Sequence, residues 1–164
     1  MEIITVSQAQ RLAAPSPFAL LSSRKPDGST NLMAVSWWTF LSNHPPLIGA
    51  CLSKKGASGQ YITEHGEFAL SLVGEKLEQA ALYCGRCSGR DTDKAARFNI
   101  TLQDAQLIAP KVVADSRVVF ECKLVDTKEV SDHVMYIAEI VACSGDANVK
   151  QLYAWDGYAR LSSV

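Results

Sequence analysis

The strongest constraint on this chain lies in its last third. Val118, Phe120, Cys122 and Leu124 alternate there with Val119, Glu121 and Lys123. A period of two puts successive side chains on opposite faces, so the segment reads as a strand. Asp132-His133 then opens a second long strand, residues 134–143. Two long strands joined by a short polar stretch form an antiparallel ribbon. Such a ribbon exposes edges that must be paired or closed.

The upstream half supplies more strands. Residues 18–23 are an apolar run, followed by Pro26-Asp27-Gly28-Ser29 and a second extended run over residues 31–38. Proline presets φ for a turn, and Asp-Gly adds a local bond and a positive φ, so this is a predicted β-hairpin. His44-Pro45-Pro46 breaks the chain before residues 47–52, which are continuously apolar like a buried strand. Residues 68–72 form another strand. Short helices are predicted over residues 58–65, with Ser58 as N-cap and Gly66 past the end, and over residues 75–83, with Leu77, Ala80, Ala81 and Cys84 on one face. Residues 85–92 form a polar loop and residues 93–98 a further helical turn. Helices do not alternate regularly with strands, so a parallel βαβ sheet is excluded. The predicted class is mainly β with short helices, closed as an antiparallel barrel.

Composition narrows the partners. The 164 residues fit one domain, residues 1–164. The net charge of -1 gives no basic excess for nucleic acid. No apolar run approaches the roughly 20 residues that cross a bilayer, so no membrane partner is expected. The N-terminus lacks a basic region leading into a long apolar core, and the five cysteines are odd in number and scattered. Both point to the cytoplasm rather than to a secreted disulfide framework.

Two segments carry anion-binding chemistry. Cys84-Gly85-Arg86-Cys87-Ser88-Gly89-Arg90 leads on to Lys94: glycines let backbone N–H groups converge, Ser88 adds a hydroxyl, and Arg86, Arg90 and Lys94 add charge. Taken alone it reads more readily as a solvated turn than as a site. Ser53-Lys54-Lys55-Gly56-Ala57-Ser58 leaves a buried strand and enters a helix N-terminus, where phosphates are commonly held. Neither matches a Walker loop or the dinucleotide glycine fingerprint. Cys84 and Cys87 lack a second ligand pair at zinc spacing, so no metal site is expected. His133 is a candidate proton donor or substrate contact. Trp37 and Trp38 are adjacent, so on a strand only one of them can face a given pocket. No nucleophile elbow or His-Glu-x-x-His is present, which leaves a hydrolase without support.

In order along the chain, Pro17, Asp27-Gly28, residues 31–39, Pro45-Pro46, residues 47–52, Gly66-Glu67-Phe68, Cys84-Gly85, Ser88-Gly89, Asp93-Lys94 and Asp132-His133 resemble the flavin reductase-like family. This is the FMN-binding split barrel of the flavoredoxin and ferric reductase type. The resemblance implies a six-stranded Greek-key barrel, a homodimer, and FMN near the subunit interface. Carried over by position, Ser36, Trp37, Trp38 and Thr39 would lie near the isoalloxazine or ribityl, with Asn31 and Met33 earlier on the same strand. Ser53, Lys54 and Ser58 would approach ribityl and phosphate. Cys84, Gly85, Ser88, Gly89 and Lys94 would border the phosphate, with Ser88, Gly89 and Lys94 the expected direct contacts. His133 would sit where a nicotinamide stacks, as the candidate catalytic residue; Ser131 stands where the family has glycine. The implied activity is an FMN-dependent oxidoreductase moving electrons from NAD(P)H or a protein donor to flavin, ferric iron or another acceptor. Alternatives are an FMN electron carrier without nicotinamide activity, and a related barrel for haem or no cofactor.

Overall fold

The computed structural model describes residues 1–164. It opens on helix α1 (Val6–Leu12), where Thr5 accepts from the Gln8 N–H and the Gln8 side chain accepts from the Thr5 N–H. That capping box satisfies two otherwise unpaired donors. There follow β1 (Ser16–Pro17), β2 (Ala19–Arg24), β3 (Thr30–Val35), β4 (Trp38–Asn43), β5 (Pro46–Ser53), α2 (Ala57–His65) and β6 (Glu67–Val73). A single 3-10 turn over Glu75–Leu77 leads into α3 (Glu78–Cys84), then α4 (Lys94–Arg97), β7 (Leu102–Gln103) and β8 (Val112–Val113). The chain ends with β9 (Ser116–Val130), β10 (His133–Gly145), β11 (Leu152–Trp155) and β12 (Arg160–Ser163).

Seven strands form one antiparallel sheet in the order β3-β2-β6-β9-β10-β5-β4. Its two outer strands, β3 and β4, are separated in the chain only by Ser36 and Trp37. The sheet therefore curls until its ends belong to one interrupted segment. Six chain segments enclose the core, which is the split barrel the resemblance implies, with one wall broken in two. The Cys51 N–H donates to the Trp37 carbonyl at 2.8 Å and pins the break to β5.

Two cores share β2. Ala19 and Leu21 face the barrel interior with Ile48, Phe68, Leu70 and Cys122. Phe18 and Leu20 face the opposite side with Leu32, Ala81, Cys84, Leu152 and Leu161. Both faces of β2 are covered, so it reads as an unbroken apolar run. On β9, Val118, Phe120, Cys122 and Leu124 face the barrel, as their alternation predicts. Glu121 points the other way, where its carboxylate accepts from the Gln106 and Leu107 N–H groups at 2.8 and 2.7 Å.

The local turn signals hold. Gly28 has φ +85°, and Asp27 accepts from the Ser29 N–H at 2.9 Å. Gly66 ends α2 with φ +69°. The N-cap of α2 needs correction: it is Gly56, and Ser58 lies one residue inside the helix, buried. Its hydroxyl accepts from Asn31 Nδ2 at 2.9 Å instead of capping the backbone. Residues 146–164 gave no strand signal, yet β11 pairs with β1 and β12 in a three-stranded sheet that closes the second core. Strands of four residues are too short to reveal a period. α1 buries no side chain, so it shows no apolar stripe either.

Candidate functional site

The break between β3 and β4 opens a cleft of about 500 Å³. Met33, Ala34, Val35, Ser36 and Trp37 line one side, the end of β5 another, and Cys84, Gly85, Cys87 and Lys94 a third. Because β10 pairs with β5 in a register that sets His133 opposite Ser53, His133 arrives at the same corner. Its ring lies 4.9 Å from that of Trp37, tilted by 31°. Its Nδ1 is 2.9 Å from Asp132 Oδ1. This bond holds the Asp132 carboxyl below its usual range and leaves Nε2 as the free nitrogen of the ring.

Tyr158 closes the far wall. The Ser36 N–H donates to its phenol oxygen at 2.6 Å, and the Ser36 hydroxyl is 2.7 Å from the same atom. Burial pushes this phenol up. Tyr158 also has φ +70°, beside Asp156 and Gly157 at +49° and +61°, a tight run that turns β11 back into β12.

The cleft continues into a polar cavity of about 310 Å³, which shares Met33, Cys87 and Lys94 with the first. Here the loop after β5 faces the loop after α3. Arg90 Nη1 donates to the Lys55 carbonyl at 3.3 Å and ties the two together. Lys94 is 5% exposed, and its ammonium donates to the Cys84 carbonyl at 2.8 Å. Burial lowers its pKa, and no carboxylate pairs with it. Asn31 is 3% exposed; its Nδ2 donates to the Ser23 and Ser58 hydroxyls, while its Oδ1 has no partner. Gly89 presses so closely on Asn31 that a Cβ there would land on Oδ1. A buried cation without an anion and a buried acceptor without a donor are both costly unless a ligand completes them. This end of the cleft is chemically suited to a phosphate beside hydroxyl groups.

Of the candidate residues, Asn31, Met33, Ser36, Trp37, Ser53, Ser58, Cys84, Gly85, Ser88, Gly89, Lys94 and His133 all line these two connected cavities. Three do not. Trp38 turns away by strand alternation and packs on Phe40 and Phe120. Thr39 is exposed on β4, its hydroxyl bonded to the Phe40 carbonyl. Lys54 is drawn out by Glu129, with Nζ 2.8 Å from the carboxylate. Arg86 lines a different cavity, behind Tyr158. The Cys84 thiol is buried and pushed up to about 12, far from the range of a reactive thiolate. Tyr158 escaped the sequence reading, because its partner Ser36 is 122 residues away and no local pattern joins them.

A family model described as the flavin reductase like domain matches residues 11–162. The NADH-dependent flavin reductase StyB of Pseudomonas fluorescens is 30% identical over 134 residues, covering 81% of this chain and 74% of that protein. The flavoredoxin of Desulfovibrio vulgaris (Miyazaki F) superposes with a TM-score of 0.88 at 25% identity, covering 100% of this chain and 93% of its own. The flavoredoxin of Methanosarcina acetivorans superposes with a TM-score of 0.87 at 22% identity, over 100% of this chain and 92% of its own.

Proposed function

The chain belongs to the flavin reductase-like family of flavin-based oxidoreductases, and we propose that it binds FMN and uses it to move electrons from a reduced nicotinamide to an acceptor. One observation carries the reading: an apolar cleft adjoins, across Met33, Cys87 and Lys94, a polar corner where the buried Lys94 lacks an anion. A planar ring system fits the first part and a phosphate monoester the second. Bound flavin supplies the redox chemistry, taking hydride from NAD(P)H and delivering electrons to free flavin, ferric iron or another acceptor.

The protein's own residues bind and orient. Lys94 and the N–H groups around Gly89 hold the phosphate, with Ser58 and Ser88 as hydroxyl partners. Asn31 holds the Ser58 hydroxyl in place through its Nδ2. Met33, Ser36, Trp37 and Ser53 line the ring and ribityl, with Cys84 and Gly85 on the opposite wall. His133, held by Asp132, meets the nicotinamide with its free Nε2. The name of the Pseudomonas fluorescens relative supports NADH as donor.

The chain acts as a homodimer with FMN near the interface. Phe40 and Leu41 are 57% and 45% exposed on β4, which has one unpaired edge, and a second copy would cover them. Trp38 and Thr39 then lie at that interface rather than within one chain's cleft. Five free cysteines support a cytoplasmic setting.

The test is aerobic purification with a spectrum, FMN titration by calorimetry, and rapid mixing with NADH and NADPH. A yellow protein bleached by NADH is the expected result. A protein that takes up no FMN refutes the reading; one that holds FMN but is bleached by neither nicotinamide is an electron carrier.

A further inference from the structure

Ser36 lies in the break between β3 and β4, so its N–H is outside the ladders of the sheet. It donates instead to the Tyr158 phenol oxygen at 2.6 Å, and the Ser36 hydroxyl is 2.7 Å from the same atom. The turn from β11 to β12 brings Tyr158 there at φ +70°. A left-handed backbone is costly for a residue that carries a ring. Such strain persists only where the surroundings hold the residue in place. Here they are the two contacts with Ser36 and the edge-on packing of the ring against Phe18, with centroids 6.2 Å apart and planes at 73°. The polar end of a strained residue is thus spent entirely on one residue of the cleft.

The two hydroxyls own two hydrogens, and the contact between them uses one. Neither hydroxyl has another partner in the chain, so one O–H is left to donate. Both residues line the cleft. Burial keeps the phenol protonated. It can therefore give its hydrogen to Ser36 Oγ and leave the Ser36 hydrogen for an acceptor in the cleft. The Ser36 N–H, feeding the phenol oxygen, then starts a chain of bonds that ends on the Ser36 O–H. Each bond in such a chain polarises the next. We propose, resting on the reading that flavin occupies this cleft, that Tyr158 is a positioning residue: it makes the Ser36 hydroxyl a fixed and strengthened donor to a ring oxygen or nitrogen of the flavin and so raises the potential of the bound cofactor. A reduced flavin ring carries more negative charge than an oxidised one, so a donor at its edge stabilises the reduced form more.

The experiment is spectroelectrochemical titration of the full chain loaded with FMN, alongside Tyr158→Phe, Ser36→Ala and the double variant. Ser36→Ala is expected to weaken reduced relative to oxidised flavin by about 10-fold, which lowers the two-electron midpoint potential by about 30 mV. Tyr158→Phe keeps the ring against Phe18 and should cost a factor of about 3 or more, or about 15 mV. The double variant should fall no lower than Ser36→Ala, because Tyr158 acts through Ser36. With 3-fluorotyrosine in place of Tyr158 the phenol is a stronger donor in nearly the same shape. The potential should then rise, a change of sign that a merely structural role would not produce, and this variant decides the matter if Tyr158→Phe does not fold. An unchanged potential in any of the single variants with FMN bound, or additive shifts in the double variant, would overturn the proposal and leave the proposed function standing. A parent protein that takes up no FMN would sink the proposed function itself.

Discussion

Replacing Lys94 by methionine tests the phosphate grip with little change in shape. The Lys94 ammonium has three donors and spends one on the Cys84 carbonyl. Two remain for a phosphate. The ammonium is already desolvated in the free protein, so contact with the anion carries little further dehydration on the lysine side. The net gain therefore belongs in the upper part of the usual range for hydrogen bonds to charged groups, about 2–3 kcal/mol, or about 30- to 150-fold in Kd. Lys94→Met should weaken FMN by that factor and riboflavin, which has no phosphate, hardly at all. Stability should stay within about 1 kcal/mol, since losing the bond to the Cys84 carbonyl is offset by removing a buried charge. The pH dependence gives an independent check. The folded pKa of Lys94 lies below 10.5, so between the two values the unfolded chain binds more protons than the native one. Stability from this group then rises with pH through that window, while FMN affinity falls as the ammonium is lost. Both slopes should vanish in the variant. Equal weakening of FMN and riboflavin would refute the argument and make Lys94 a support for the turn at Cys84.

Two further substitutions probe the backbone around the site. Gly89→Ala drives a methyl onto Asn31, which is fixed by Ser23 and Ser58; thermal denaturation should show a loss of about 1–3 kcal/mol together with weaker FMN binding, and a variant as stable as the parent would show that the loop yields freely. Ser131→Gly relieves a non-glycine residue at φ +52° in the turn before His133. Relief of roughly 1–2 kcal/mol, less roughly 0.4–1 kcal/mol for the freer unfolded chain, predicts a net gain of about 0.5–1 kcal/mol in denaturant melts, with His133 chemistry unchanged.

The Ser131 turn also shows how far local sequence reaches. Ser131 stands where the family has glycine, a residue that takes a positive φ without strain. The backbone takes the left-handed conformation regardless, because the registers of β9 and β10 hold the turn from both sides. The strand alternation of β9, the Pro-Asp-Gly turn and the glycine that ends α2 were all legible. Each is governed by interactions between residues a few positions apart: dihedral preferences, an Asp side chain bonding two residues on, and the side-chain period of a strand.

The sequence alone thus determined the long strands of the barrel, the helices between them, the turns and the family pattern, but not α1 or the short strands β11 and β12. Tertiary structure decided which side chains face the cleft. Lys54 and Lys94 are both lysines in plausible phosphate segments, but Glu129, on a strand 75 residues away, captures the first, while packing against Cys84 buries the second. Trp37 reaches His133 and Trp38 does not because the barrel wall breaks between β3 and β4. Tyr158 reaches Ser36 only once the last two strands close over the second core. These contacts join residues far apart in the chain, so their geometry comes from the closed fold and leaves no periodic trace in the sequence.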